Sequence, residues 1–204
     1  MGLFGSKTHI KLDRSDTTLH KEDEKKTTRE VDKNFLDETW WKTAMPEDVE
    51  AEIKKGADVN AVFYSEYGTK TGENPLSFAI QEATNKLTLA EVQSSLNNSS
   101  KDFINTREIC INNILTLIKY GADINAIYGQ ALNDICFDKY LDILNILIEN
   151  GLDVNQNVSF LFTDNEKLIK IAARNGQEKI VNKLLEAGAK DTRSFMEKIK
   201  THLG

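Results

Sequence analysis

The sequence predicts an all-α protein that folds as a solenoid of stacked helix pairs. A five-residue phrase, Gly121-Ala122-Asp123-Ile124-Asn125, recurs with small changes along the chain. The copies begin at Gly56, Gly121, Gly151 and Gly188. An apolar stripe precedes each copy, and its spacings of three and four residues indicate one face of a helix. Because a unit of this kind cannot bury its stripe alone, neighbouring units must stack on each other.

Each copy also carries the signals of a helix end followed by a turn. The glycine can adopt the left-handed conformation that satisfies the last carbonyls of a helix. The Asp and Asn that follow favour a turn leading away from it. The stripes themselves are Val49 and Ile53; Ile111, Ile114, Leu117 and Ile118; Leu141, Ile143, Leu144, Leu147 and Ile148; and Ile180, Val181, Leu184 and Leu185.

The recurring phrase resembles the end of an ankyrin repeat, whose first helix opens near Thr-Pro-Leu-His and whose second helix precedes Gly-Ala-Asp-x-Asn. The nearest first-helix opening is Asn74-Pro75-Leu76-Ser77, with Ser77 where the family usually has His. The later phrase Ile171-Ala172-Ala173 keeps the small pair that lets neighbouring helices approach. The resemblance covers about residues 35–191. It implies an ankyrin-repeat solenoid with short β-hairpin-like fingers, and such arrays mostly bind proteins of many unrelated kinds.

The resemblance and the composition together divide the chain into a tail and one repeat domain. Residues 1–34 are expected to be a disordered tail, because charged residues of both signs predominate between Asp13 and Lys33. The repeat domain spans residues 35–204. Its repeats are expected at about 35–66, 72–126, 128–157 and 165–191, with a C-terminal capping helix at about 193–203.

The first repeat departs from the family pattern in a way that suits an N-terminal cap. Trp40 and Trp41 stand where the pattern has its small pair, and we expect them to shield the end of the core. Pro46 at the first helical position, followed by acidic residues, predicts the start of the second helix.

The second repeat contains about 26 more residues than the family pattern allows, roughly 84–109. Apolar positions on both sides predict that the two helices of this repeat are extended into a helical protrusion. The polar run 94–101 predicts the loop between them. Insertions in repeat arrays map to one face and are often functional, although a tolerated decoration is an equally good interpretation.

Aromatic residues in the fingers are the candidate partner-binding residues. The expected contacts are Phe63, Tyr64, Tyr67, Tyr128, Phe160 and Phe162. Tyrosine and other aromatic residues dominate the energetics of protein interfaces. The alternative is that the first-finger aromatics fold back onto the helices below them. The function predicted is a protein–protein interaction module that binds its partner through the fingers and concave face of the array, with an inhibitor or immunity-type protein and an effector both compatible.

Several other functions are disfavoured by composition. The net charge of −6 leaves no basic footprint for nucleic acid. The cysteines, Cys110 and Cys136, lack metal-binding spacing and fit a reducing, cytoplasmic compartment. The histidines, His9, His20 and His202, form no metal site or nucleophile–base pair with acids or cysteines. We therefore expect a monomeric binding protein, not an enzyme, with no cofactor and no metal.

A second hypothesis concerns the membrane. The N-terminal residues Met1 to Ser6 match the pattern for N-myristoylation, with Gly2 as the acceptor. The protein would then be a membrane-tethered adaptor, with residues 3–34 as a flexible spacer. A single acyl chain gives only marginal anchoring. The membrane is thus a partner only if Gly2 is acylated.

Overall fold

The computed structural model describes residues 30–63, 73–97, 100–160 and 163–193, and this part of the chain is mostly helical. The α-helices are α1 (Glu38–Trp41), α2 (Pro46–Lys54), α3 (Pro75–Asn97), α4 (Ser100–Lys119), α5 (Gly129–Asp134), α6 (Leu141–Glu149), α7 (Leu168–Arg174) and α8 (Glu178–Glu186). Short 3-10 helices cover Glu30–Asp32, Ile124–Ala126 and Asp138–Tyr140. The strands β1 (Asn157–Phe160) and β2 (Thr163–Lys167) form an antiparallel hairpin.

Helices that are not consecutive in the chain contact each other at regular intervals. The odd-numbered helices make successive contacts, α1 with α3, α3 with α5, and α5 with α7. Among the even-numbered helices, α2 contacts α4 and α6 contacts α8. The hydrophobic core lies between them and includes the fully buried residues Ile114, Leu117, Ile143, Leu144, Leu147, Ile180 and Leu184. Each of these was predicted to lie on an apolar stripe.

The predicted helix boundaries at the recurring phrase are confirmed. α2 begins at Pro46, and the Asp48 carboxylate accepts a hydrogen bond from the Met45 N–H at 3.0 Å, which satisfies a donor at the helix start. Gly121 and Gly151 have φ of 91° and 99°, a left-handed conformation in which a Cβ is strained. Their N–H groups close the ends of α4 and α6 by bonding to Ile118 and Ile148 carbonyls.

A ladder of asparagine hydrogen bonds links successive copies of the phrase. The Asn60 amide donates to the Gly121 carbonyl at 2.9 Å, and its oxygen accepts from the Asp123 N–H at 2.7 Å. Asn125 makes the same pair of bonds one copy later, to Gly151 at 3.1 Å and from Asp153 at 2.7 Å. Asn155 repeats them with the Gly188 carbonyl at 3.1 Å and the Lys190 N–H at 2.8 Å. In each of these copies of the phrase, one asparagine side chain therefore fixes the position of the following copy.

Composition predicted a tail that ends at residue 34. The structure has a 3-10 helix at Glu30–Asp32, which lies inside that predicted tail. Asp32 is buried, and its carboxylate accepts a hydrogen bond from the Asp58 N–H at 2.9 Å. That is the acceptor half of the ladder, supplied by an aspartate before the first copy of the phrase. Trp41 is also buried and donates its indole N–H to the Phe35 carbonyl at 3.0 Å, so it contributes to this end of the core.

The segment 84–109, called here the α3–α4 extension, is helical on both sides, as predicted. The predicted loop at 94–101 is wrong in extent, because α3 continues to Asn97 and α4 begins at Ser100. Ser94 and Ser95 both donate hydrogen bonds to the Glu91 carbonyl, three and four residues earlier. A serine hydroxyl that bonds to a carbonyl of the preceding helical turn can be accommodated within a helix. The polarity of the run therefore did not exclude a helix, although it suggested a loop.

Among the described residues, no helix has both the length and the apolar character needed to cross a bilayer. The predicted capping helix at 193–203 falls outside the described residues except for Arg193.

Candidate protein-binding surface

The structure describes three of the six aromatic residues predicted to contact a partner. They are Phe63, Tyr128 and Phe160. Tyr64, Tyr67 and Phe162, together with Gly2, lie outside the described residues. Phe160 is the last residue of β1 and pairs with Thr163 of β2.

Phe63 is the last described residue before the predicted first finger. It is half-buried and packs against the hydrophobic core. Its N–H donates to the Glu73 carbonyl at 3.0 Å. Phe63 therefore fits the alternative in which a finger aromatic folds back onto the helices.

The backbone around Tyr128 is held by hydrogen bonds that join it to side chains at the start of α3. Its N–H donates to the Ser77 hydroxyl at 2.7 Å, and that hydroxyl donates to the Asn74 side-chain oxygen at 2.9 Å. The Asn74 amide donates in turn to the Ala126 carbonyl at 2.7 Å. Asn74 and Ser77 are themselves buried. The backbone at Tyr128 is thus fixed while its ring stays partly exposed.

A groove of about 270 Å³ is called here the finger groove, and it is lined by residues 125–129, by Leu132 of α5 and by residues 156–158. Ile127, Leu132 and Val158 are each at most 5% exposed, so they add little accessible surface to it. Polar and apolar atoms contribute about equally to the surface that the groove offers. Mixed surfaces of this kind occur at protein–protein interfaces.

Gln156 adds an unsatisfied donor to this groove. Its side-chain nitrogen is buried and has no hydrogen-bond partner among the described residues. An unpaired buried donor costs about 1–3 kcal/mol. Because this nitrogen is closed off from solvent, a partner could supply an acceptor only after the Gln156 side chain rearranges. Sequence reasoning missed Gln156 because nothing in its immediate neighbourhood marks it as buried.

A second concavity, about 370 Å³ in volume, lies where the extension meets the next helix pair and is called here the junction cleft. Its walls are formed by Thr84, Asn85 and Thr88 of α3, by Gln130 and Asp134 of α5, and by Phe137, Lys139 and Tyr140. The sequence singled out none of these as site residues, because they are brought together from segments more than 40 residues apart.

One wall of the junction cleft is a closed hydrogen-bond network. The Tyr140 hydroxyl bonds to the Thr84 carbonyl at 2.9 Å and lies 2.6 Å from the Thr88 hydroxyl. Lys139 donates to the same Thr88 hydroxyl at 3.0 Å, and its ammonium lies 4.9 Å from the centre of the Tyr140 ring. These contacts, with an Arg107–Asp142 ion pair of 2.7 Å, attach the base of the extension to the following helix pair.

The opposite wall carries a half-buried carboxylate. The Gln130 amide donates to Asp134 at 2.5 Å, and the Asn133 amide lies 3.5 Å from the same oxygen. Burial raises the pKa of the Asp134 carboxyl, and the hydrogen bonds from Gln130 and Asn133 oppose that rise. The pKa of the Cys136 thiol is raised to about 12, chiefly by burial and next by the negative charge of Asp134. Cys136 is therefore a packing residue at neutral pH.

Within the ranges that the structure covers, no group of three or more His, Cys, Asp or Glu side chains is arranged to hold a metal ion. Comparison with protein-family models and with curated proteins found no match for this chain.

Proposed function

We propose that the chain is an ankyrin-type repeat protein that binds a partner protein through the finger groove and the finger residues beside it. The observation that carries the proposal is that Tyr128, whose backbone is fixed and whose side chain is partly exposed, lines this groove. Because that backbone is already ordered, a partner that contacts the ring pays little further ordering cost there.

The ankyrin-type assignment rests on the periodic phrase and on the asparagine ladder that joins its copies. Asn60, Asn125 and Asn155 each make the same two bonds to the following copy. Repeats joined in this way form an extended array whose fingers lie along one side. The finger groove lies between the second finger and the third.

Tyr128 is the residue expected to contribute most to binding. Tyrosine supplies a large contact area together with a hydroxyl, and its ordering cost is small when the backbone is already fixed. Removing a central aromatic anchor typically costs 2 kcal/mol or more, about thirtyfold in affinity. The bonds through Ser77 and Asn74 hold the backbone whether or not the ring is present, so Tyr128→Ala should fold normally.

The partner can be captured with a photo-crosslinking amino acid in place of Tyr128, expressed in the cell that makes the protein. The matched control carries the same amino acid at Leu115, which is 39% exposed on α4. The captured protein is then purified and its affinity measured for three forms of the chain: wild type, Tyr128→Ala and Leu115→Ala. We expect about a thirtyfold loss for Tyr128→Ala and no change for Leu115→Ala.

The competing surface is the outer part of the α3–α4 extension, where Leu89, Val92 and Ile104 are exposed. A third form of the chain carries the photo-crosslinking amino acid in place of Ile104. If that form captures the partner equally well and Tyr128→Ala leaves the affinity unchanged, the extension is the binding surface. The finger-groove proposal would then be wrong.

A further inference from the structure

The junction cleft brings a carboxylate, an ammonium group, two aromatic rings and two side-chain amides to one partly enclosed space. It is distinct from the finger groove and shares no lining residue with it. Its volume of about 370 Å³ falls within the range of roughly 300–1,000 Å³ that ligand sites occupy.

Asp134 lines this cleft without an ion-pair partner among the described residues. Its described partners are the amides of Gln130 and Asn133. The Lys139 ammonium also lines the cleft, but it donates to the Thr88 hydroxyl and lies over the Tyr140 ring instead of pairing with Asp134. A half-buried carboxylate without a cation in contact is poorly solvated, and a cation bound directly to it would compensate for that.

We infer that the junction cleft binds an arginine side chain of the partner protein. The guanidinium group would pair with Asp134, and its apolar stem would lie against Phe137. This inference rests on the proposed function, because it names the chemistry that the partner presents at a second point on the same chain.

The surroundings of Asp134 favour a guanidinium over an ammonium ion. A guanidinium is planar and weakly hydrated, and it can donate to a carboxylate and to neighbouring acceptors at the same time. Asn85, which also lines the cleft, carries a side-chain oxygen that can serve as one more acceptor. Phe137 offers a half-buried ring against which a planar cation and its stem can pack. A lysine ammonium is not planar, so it would stack less well on the Phe137 ring, and it would bond less well to Asp134 and Asn85 at the same time.

The test uses the full-length chain and three small probes: the N-acetyl methylamides of arginine, of citrulline and of lysine. Citrulline has nearly the shape of arginine without its charge. Binding is followed by amide NMR, with the side-chain amide of Gln130 and the backbone amides of Lys139 and Tyr140 as reporters. We expect the arginine probe to shift these signals with saturation, and the citrulline and lysine probes to bind at least several-fold more weakly.

Two variants locate the interaction. Asp134→Asn removes the charge and keeps an oxygen that can accept from Gln130, so the cleft should retain its shape. It should weaken the arginine probe by about tenfold, the value of one charge-assisted hydrogen bond. Glu149→Gln, at an exposed position at the end of α6, is the control and should bind as wild type does.

Three outcomes overturn the inference: equal binding of citrulline, an Asp134→Asn affinity equal to wild type, or shifts confined to residues away from the cleft. Inorganic phosphate is titrated in parallel. If phosphate shifts the reporters and arginine does not, the cleft is a Lys139 anion site and the inference is also wrong.

The outcome is separable from that of the proposed function. If the arginine probe fails while the captured partner still depends on Tyr128, only the arginine inference falls. If the arginine probe binds while Tyr128→Ala leaves partner affinity unchanged, the cleft stands and the finger-groove proposal falls.

Discussion

In α6, Leu144 and Leu147 are completely buried, whereas Leu89 and Ile104 in the α3–α4 extension are 58% and 61% exposed. The helices around α6 belong to the repeating body, in which each unit has a neighbour to cover its apolar face. The outer part of the extension has no such neighbour among the described residues. α6 has the stronger apolar periodicity, and its stacked neighbours cover that stripe, whereas the weaker apolar pattern of α3 and α4 leaves residues exposed in the outer part of the extension.

The two regions meet at the base of the extension, which is bonded to the next helix pair. Leu87 is buried there, as is Cys110 immediately after the extension, and the Tyr140 hydroxyl donates to the Thr84 carbonyl. The base therefore belongs to the core, although it lies within the inserted residues. This difference between base and tip can be tested by stability measurements and by binding.

The largest expected effect is the loss of a side chain from the body. Leu147→Ala should lower the free energy of unfolding by about 2–5 kcal/mol, because it leaves a cavity between packed helices. Leu89→Ala, the same substitution in the extension, should change it by at most about 0.5 kcal/mol. Chemical denaturation of both variants gives the comparison. Equal losses would mean that the extension is as tightly packed as the body.

An intermediate effect is expected from the asparagine ladder. Asn125→Ala removes one bond to the Gly151 carbonyl and one from the Asp153 N–H. At about 0.5–1.5 kcal/mol for each bond, the loss should be about 1–3 kcal/mol. The matched control is Asn105→Ala, an exposed asparagine in the extension. A thermal melt in which both variants behave alike would contradict the idea that the ladder stabilises the stacking of the units.

The smallest effect concerns Asp134 at the junction of the two regions. Its pKa in the folded state is raised, chiefly by burial. The carboxyl therefore contributes stability that is fully present below its unfolded pKa and is lost as the pH rises through the folded pKa. We expect Asp134→Asn to gain stability relative to wild type between about pH 4 and pH 7. Paired denaturation curves across that range measure the gain. A stability difference that stays constant with pH would show that the carboxyl is not destabilised by burial.

The helices and their ends could be predicted from the sequence because their signals are local. Pro46 begins a helix through its own fixed φ, and Gly121 and Gly151 end helices through a conformation that other residues adopt at a cost. Stripe residues such as Leu147 are buried because their spacing puts them on one helix face. Each of these inferences depends on residues within one or two helical turns.

The groove, the cleft and the first step of the ladder were decided only by the tertiary structure. Asp32 lies in a charged stretch, yet it is buried, and it accepts a hydrogen bond from the Asp58 N–H, 26 residues away. Asp134 and Tyr140 line one cleft with Thr84 only because α3 and α5 pack together. The properties of single residues and the spacings between near neighbours do not predict which distant group will supply a hydrogen bond or exclude water. Contacts between segments far apart in the chain determine that, and those contacts form only when the helices are stacked.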